Sequence, residues 1–351
     1  MSRIKAARSL LEKFNIDAFL FSSFANVFYL SKLRASSAFF ILTKENSYLL
    51  TDSRYIEKAR ALSGDFEVIE ISPPVFKFLK SFLKSHAKSV GFESDKLTCE
   101  TKKSLNSKAF RLAGINSPLK DMRSVKQEDE LEIIKKAVKK SDEIYLRLLN
   151  FLKPGLSELE VRAFLNQEFF KEGAIGESFP AIVAFDWHSS IPHWESSKAK
   201  IDASKPLLID FGMVYEGYCT DFTRTIYIGK APDDFKRAYN AVKDAHLRAL
   251  ESVKAGALVK DIDKVARESL KEKYLDKFFT HSLGHGVGIE IHEFPSISQH
   301  SEAMLKPGMV ITIEPGVYIP NQFGIRLENM VLVLEDGCFT LSNISLDLIE
   351  L

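Results

Sequence analysis

The chain has 351 residues, 45% of them hydrophobic, and its 48 basic and 47 acidic side chains leave a formal net charge of +1. At ~150 residues per domain this length predicts about two domains, each with enough apolar material for a core. The charge balance excludes an electrostatic case for nucleic acid or an anionic membrane. Three widely spaced cysteines, Cys99, Cys219 and Cys338, exclude a disulfide framework and a thiolate zinc site and suit a reducing cytosol.

Met1 to Asn15 reads as a charged, helix-like stretch, with helical spacing from Ile4 to Phe14. Glu12, Lys13 and Asp17 interrupt any signal-peptide core, and no apolar run approaches a membrane span. A cytoplasmic location is therefore expected. Asp17–Ser22, Ala38–Thr43, Ser47–Asp52 and Phe66–Ile71 read as strands, with a helix over Arg54–Ser63. This alternation predicts a small α/β domain over residues 1–120. Val75–Ser89 is amphipathic, with Val75, Phe78, Leu79, Phe82 and Leu83 opposite Lys77, Lys80, Lys84 and Lys88. It fits a membrane-surface helix or a helix covering the sheet with its lysines in water, and the second is the commoner use of such a pattern.

Asn116–Arg123 is mostly polar and marks the boundary to a second domain, residues 121–351. Ser124-x-x-Gln127 has the form of a capping box. A long helix follows, with Leu131, Ile134, Val138 and Tyr145 in register, and Lys153-Pro154-Gly155 ends it. Ser157-x-x-Glu160 opens the next helix as a second capping box. Lys153-Pro154-Gly155 is echoed 101 residues later by Lys254-Ala255-Gly256, and an apolar run ending in Asp210 is echoed 104 residues later by one ending in Glu314. Two echoes at nearly the same offset predict a duplicated unit of helices followed by a hairpin.

The two apolar runs carry the chemistry. Leu207-Leu208-Ile209-Asp210-Phe211-Gly212 is followed by Gly217 and then Asp221; Val310-Ile311-Thr312-Ile313-Glu314-Pro315-Gly316 is followed by Gly324 and then Glu328. Each reads as a buried strand entering a hairpin, with two acids brought face to face. One acid on a strand is usually a surface charge or half of an ion pair. Four buried acids together are different, because they cannot all stay ionised without countercharge. A pair of divalent cations is the simplest countercharge. An imidazole is available from His281-Ser282-Leu283-Gly284-His285-Gly286-Val287-Gly288. Oxygen donors with one nitrogen suit manganese first, with cobalt, zinc or iron as alternatives. Two such ions held roughly 3.5–4 Å apart would activate water near neutral pH. The glycines beside His285 would let backbone approach a ligand closely. A phosphate cradle lacks the strand–turn–helix context it requires. Arg326 lies two residues from Glu328 and so shares its face, looking into the site either as a substrate contact or as an ion pair with one of the acids. Cys219 shares a face with Asp221 and reads as a small core residue.

Ile209–Gly212, Thr220–Thr225, His281–Gly288, Ile291-His292-Glu293, Ile313–Gly316 and Gly324–Glu328 together resemble the pita-bread metallopeptidases of the Xaa-Pro aminopeptidase and Xaa-Pro dipeptidase (prolidase) group. Tyr48–Tyr55 is similar to that family's N-terminal domain. The resemblance implies an α+β fold: a pita-bread catalytic domain with internal pseudo-two-fold symmetry, preceded by a smaller α/β domain. It implies Asp210, Asp221, His285, Glu314 and Glu328 as ligands of two divalent metal ions, with Asp221 and Glu328 bridging and both oxygens of Asp210 on one ion. Glu314 would also help move the proton of the attacking water, His292 would hydrogen-bond the scissile carbonyl or its tetrahedral intermediate, and His193, His281 and Arg326 would position the substrate. The implied substrates are short peptides with proline at position two, taken by a homodimer. One segment departs from the family: Asp186 stands where relatives tend to have Gly, and His188 where they often have Asn, which touches specificity rather than metal binding. The competing expectation is a non-catalytic peptide-binding or scaffolding protein on the same fold. A metal-free relative acting on creatine-like substrates is a third, and the intact carboxylates argue against both.

Overall fold

The computed structural model describes residues 2–202 and 204–351, so Met1, where the N-terminal helical stretch was expected to begin, lies outside the described residues. The chain divides into two compact units, Met1–Arg123 and Ser124–Leu351.

The first unit holds six strands: β1 (Ala18–Phe21), β2 (Ala38–Thr43), β3 (Ser47–Thr51), β4 (Glu67–Glu70), β5 (Ser89–Glu93) and β6 (Arg111–Ile115). They form one mixed sheet in the order β4-β3-β2-β1-β5-β6. Helix α1 (Val75–His86) buries Leu79 and Leu83 against Leu20, Ile41, Leu50 and Val90 of that sheet. Its apolar face is thus spent on the sheet, not left for a membrane. Among the described residues no helix is long and apolar enough to cross one. The expected helix at Arg54–Ser63 shrinks to Ile56–Arg60, because Asp52 accepts from the Arg54 N–H and turns the chain first. Sequence reading missed the helix Phe24–Ser31, whose residues Ala25 to Ser31 are all buried. A helix covered all round has no polar stripe to betray its period.

The second unit opens with α2 (Glu128–Phe151) and α3 (Glu158–Lys171). The capping box expected at Ser124 and Gln127 is instead built from Gln127 and Glu130, whose carboxylate accepts from the Gln127 N–H at 3.0 Å. Ser124 cannot cap because the residues after it are held extended: Val125 bridges Met309, and the Lys126 N–H donates to the Gly308 carbonyl. The Ser157–Glu160 box forms as expected, with the Ser157 N–H on Glu160 at 2.7 Å and the Glu160 N–H on Ser157 Oγ at 3.2 Å.

Strands β7 (Ile182–Phe185), β8 (Lys205–Phe211), β9 (Val214–Tyr215), β10 (Tyr218–Cys219) and β11 (Phe222–Ile228) follow. Then come α4 (Asp233–Ser252) and α5 (Val259–Lys271), and β12 (Gly284–Gly286), β13 (Glu293–Ile297), β14 (Val310–Ile313), β15 (Gly316–Ile319), β16 (Phe323–Arg326), β17 (Asn329–Leu334) and β18 (Gly337–Thr340). The duplication is visible in these elements. Strand β8, the β9–β10 hairpin and β11 repeat as β14, the β15–β16 hairpin and β17, with β8 antiparallel to β11 and β14 antiparallel to β17. Each half has its own core: Ile144, Leu165, Phe169, Ile209 and Phe211 in one, Val242, Ile262, Ile311 and Val331 in the other. Even a clamp recurs. Glu177, held by Arg162 and Asn166 of α3, accepts from the Ala181 N–H; Asp263 of α5 accepts from the Leu283 N–H and holds Arg267.

Candidate active site

Each half delivers two acids where its long strands give way to the short hairpin. Asp210 sits opposite Thr223, and Asp221 lies just before β11, two residues from Thr223 and so on the same face. Glu314 and Glu328 lie just beyond the last pair of β14 and β17, Ile313 with Asn329. The halves join here, since the Glu328 N–H donates to the Thr223 carbonyl and Thr223 Oγ1 donates to Glu328 Oε2 at 2.6 Å. His285 enters from β12, which pairs with β14 at Gly286 and Ile311. The result is a cavity of about 640 Å³ lined by all four acids together with His193, His281, His285, His292 and Arg326. The five expected metal ligands and the four expected substrate-side residues therefore all reach one cavity.

Asp221, His285 and Glu328 offer ligand atoms that all lie within 4.8 Å of one another. His285 Nε2 is 3.4 Å from both Asp221 Oδ2 and Glu314 Oε1. Its Nδ1 lies 3.0 Å from the Gly286 carbonyl, which can only accept, so Nδ1 carries the proton. The other ring nitrogen, Nε2, therefore faces two carboxylates. Asp210 Oδ1 and Glu328 Oε1 are buried without a hydrogen-bond partner. Such orphaned oxygens are expensive. Burial, and after it the neighbouring Asp210 and Glu314, pushes the Asp221 carboxyl well above its ordinary range. Glu328 moves the same way, through burial and then Asp221. Glu314 rises to about 8, again chiefly by burial, then by Glu328. Crowded acids and orphaned oxygens both ask for positive charge at one point, and an imidazole nitrogen faces the same point. The donor set fits divalent cations, with four carboxylates and one imidazole to hold them.

Arg326 supplies the fixed countercharge. It is buried, and its guanidinium pairs with Asp210 Oδ2 and donates to Tyr318 Oη at 2.6 Å and to Thr223 Oγ1 at 3.3 Å. Of the two readings of its inward orientation, the ion pair is the one visible here. His281 has its Nδ1 2.8 Å from the Ser282 carbonyl and its Nε2 2.9 Å from Tyr318 Oη. Both ring nitrogens are engaged, and burial, then Arg326, lowers its pKa to about 3. His292 packs edge-on against His285 with ring centroids 4.3 Å apart, and burial, then His285, lowers its pKa too. Both imidazoles are neutral near pH 7. His193 is exposed in the loop after β7 and lines the cavity.

The glycines beside His285 leave room for close protein neighbours. A Cβ on Gly284 would strike the Thr312 carbonyl, and one on Gly288 would strike the Glu293 carboxylate. Cys219 is buried, as expected. Sequence reading missed Tyr318, which links Arg326 to His281, and Thr223, which holds Glu328. Strand alternation offered a signal for Thr223, two residues after Asp221.

Residues 132–335 match the model of metallopeptidase family M24, and residues 3–125 match the creatinase/prolidase N-terminal domain. An uncharacterized peptidase of Bacillus subtilis is 33% identical over 352 aligned residues, which cover 99% of this chain and 100% of that one. Among solved structures, an Xaa-Pro dipeptidase from Bacillus anthracis superposes with a TM-score of 0.96 at 32% identity, covering 99% of each chain. An X-Pro aminopeptidase from Thermotoga maritima gives 0.90 at 35% identity, covering 97% of this chain and 99% of that one.

Proposed function

The chain belongs to metallopeptidase family M24 and has its pita-bread fold, and from this premise we propose that it hydrolyses the bond between a peptide's N-terminal residue and a proline in second position. The relatives named above as Xaa-Pro dipeptidase and X-Pro aminopeptidase support that substrate class. Asp210, Asp221, His285, Glu314 and Glu328 hold two divalent ions, manganese by preference among oxygen donors. The single observation carrying this reading is the pair of orphaned carboxylate oxygens, on Asp210 and Glu328, within one acid cluster at the cavity. Bound there, such ions supply Lewis acidity and lower the pKa of water.

The protein's own groups do the rest. Neutral His292 donates an N–H to the scissile carbonyl as negative charge develops on its oxygen. Glu314, reached by Thr312 Oγ1 at 3.3 Å, carries the proton from the attacking water to the departing prolyl nitrogen. Like any amide nitrogen, it leaves as an amine only on gaining that proton. Arg326 fixes Asp210 and, through Tyr318, the ring of His281. His193 and His281 shape the substrate side of the cavity. The protein acts as a cytoplasmic homodimer. A purely binding role would not need the acid cluster kept whole.

The test is a metal-titrated assay of Ala-Pro against Ala-Pro-Ala, with sedimentation to read the oligomer. Cleavage of the dipeptide alone assigns a dipeptidase, and cleavage of the tripeptide an aminopeptidase. No turnover of either with manganese, cobalt, zinc or iron would overturn the proposal.

A further inference from the structure

Glu158 opens α3, and its side chain is fully buried although it plays no part in the acid cluster. Its two oxygens gather donors from one loop. Oε1 accepts from the Phe185 N–H at 2.8 Å and lies 2.7 Å from His188 Nδ1. Oε2 accepts from Trp194 Nε1 at 2.9 Å and from both the N–H and Oγ of Ser197 at 2.8 Å. Burial alone would raise this carboxyl, but the bonds from His188, Phe185, Trp194 and Ser197 hold it below its ordinary range. One carboxylate thus staples Phe185, His188, Trp194 and Ser197, and the loop between them carries His193.

Trp194 is the side chain most constrained by this staple. Its indole N–H is tied to Glu158, and His188 stacks on it at a centroid distance of 3.9 Å and an angle of 20°. Trp187 meets it edge-on at 5.7 Å. It also packs against the cluster of Ile182, Ala184, Leu208 and Tyr318, and it lines the same cavity as the acids. An indole that cannot swing, next to His193, is a rigid aromatic wall. Aromatic walls are what a proline ring selects, because the ring is compact, apolar and already conformationally fixed.

We propose that Trp194 is a specificity-determining residue, a wall against which the pyrrolidine ring of the substrate's second residue packs, and that Glu158 and His188 are positioning residues that hold it. This rests on the Xaa-Pro reading above and names what in this chain recognises the proline. It also gives the unusual His188 a task, as the flat backing of the wall.

The assay compares Ala-Pro with substrates whose second residue is azetidine-2-carboxylic acid or pipecolic acid, one methylene smaller or larger. The native enzyme is expected to prefer proline by at least about 10-fold in kcat/KM, the usual worth of one methylene in a fitted pocket. Trp194→Ala should raise KM, leave kcat within about 3-fold, and collapse the ring-size preference to within about 3-fold. Trp194→Phe, which keeps a ring but loses the N–H, should restore part of it. Glu158→Gln and the milder His188→Asn should raise KM more than kcat. Ring preference unchanged in Trp194→Ala, or a loss confined to kcat, would overturn the inference. The chain has two tryptophans, so Trp187→Phe leaves Trp194 as the single tryptophan, excited selectively at the red edge where tyrosine does not absorb. Titrating that variant with L-proline should shift its emission, whereas emission that never responds to proline counts against the wall. This measurement needs no turnover, so it separates failure of the wall from failure of the Xaa-Pro reading, which would show as no cleavage by the native enzyme.

Discussion

Replacing Lys126 with Met removes one charge from the interior and little else. Lys126 Nζ lies 3.2 Å from Glu293 Oε2, with side-chain exposures of 1% and 4%. Methionine is nearly as long and equally unbranched, so packing is largely kept. The carboxylate of Glu293 retains the Glu290 N–H at 3.1 Å but loses its ammonium in a place water barely reaches. Breaking a buried pair from one side costs about 3–5 kcal/mol. For a unit of this size each kcal/mol moves Tm by about 2–4 °C, giving an expected fall of roughly 6–20 °C. Thermal unfolding followed by circular dichroism at pH 7 reads it directly. Glu293→Gln should cost a similar amount by stranding Lys126. The double variant Lys126→Met with Glu293→Leu should recover most of the loss, since neither charge is left behind. A fall below about 2 °C in the single Lys126 variant, or strictly additive losses in the double variant, would refute the reasoning. Glu293 follows His292 directly, so the variant should also lose activity at temperatures where it remains folded.

Asp221→Asn should abolish turnover and metal binding together, because it withdraws a charged donor beside His285 and Glu328; two ions still bound stoichiometrically, by plasma emission analysis, would count against the ligand set. His246 is buried with its Nδ1 3.1 Å from the Leu327 carbonyl, and burial, then Arg224, lowers its pKa from 6.5 to about 3. The folded value lies below the unfolded one, so this contribution to stability is whole above pH ~6.5 and is lost as pH falls toward 3, at about 1.4 kcal/mol per pH unit. Urea unfolding of the native protein and of His246→Gln between pH 6 and 4 should differ in slope by about that amount, and parallel slopes would dismiss it.

The sequence by itself determined the acid cluster and the repeat. Asp210 and Glu314 were legible because each ends an apolar run, where an unpaired carboxylate is too costly to be incidental, and Asp221 and Glu328 because each stands four residues after the hairpin's Gly. The duplication was legible because two offsets agreed. The Ser157–Glu160 cap and the sheet-facing side of α1 followed from local patterns that nothing distant contradicts. Tertiary structure decided the rest. The start of α2 moved from Ser124 to Gln127 because Met309 and Gly308, remote in sequence, hold the preceding residues extended. The glycines beside His285 face Thr312 and Glu293, partners that only folding brings near. Glu158, His188 and Trp194 become one device because a buried carboxylate must collect donors wherever the fold offers them, and those donors lie up to 39 residues away in the chain. Periodicity and composition record which surfaces are buried; they carry no record of which buried groups meet, and here those meetings fix where the site's histidines and its aromatic wall stand.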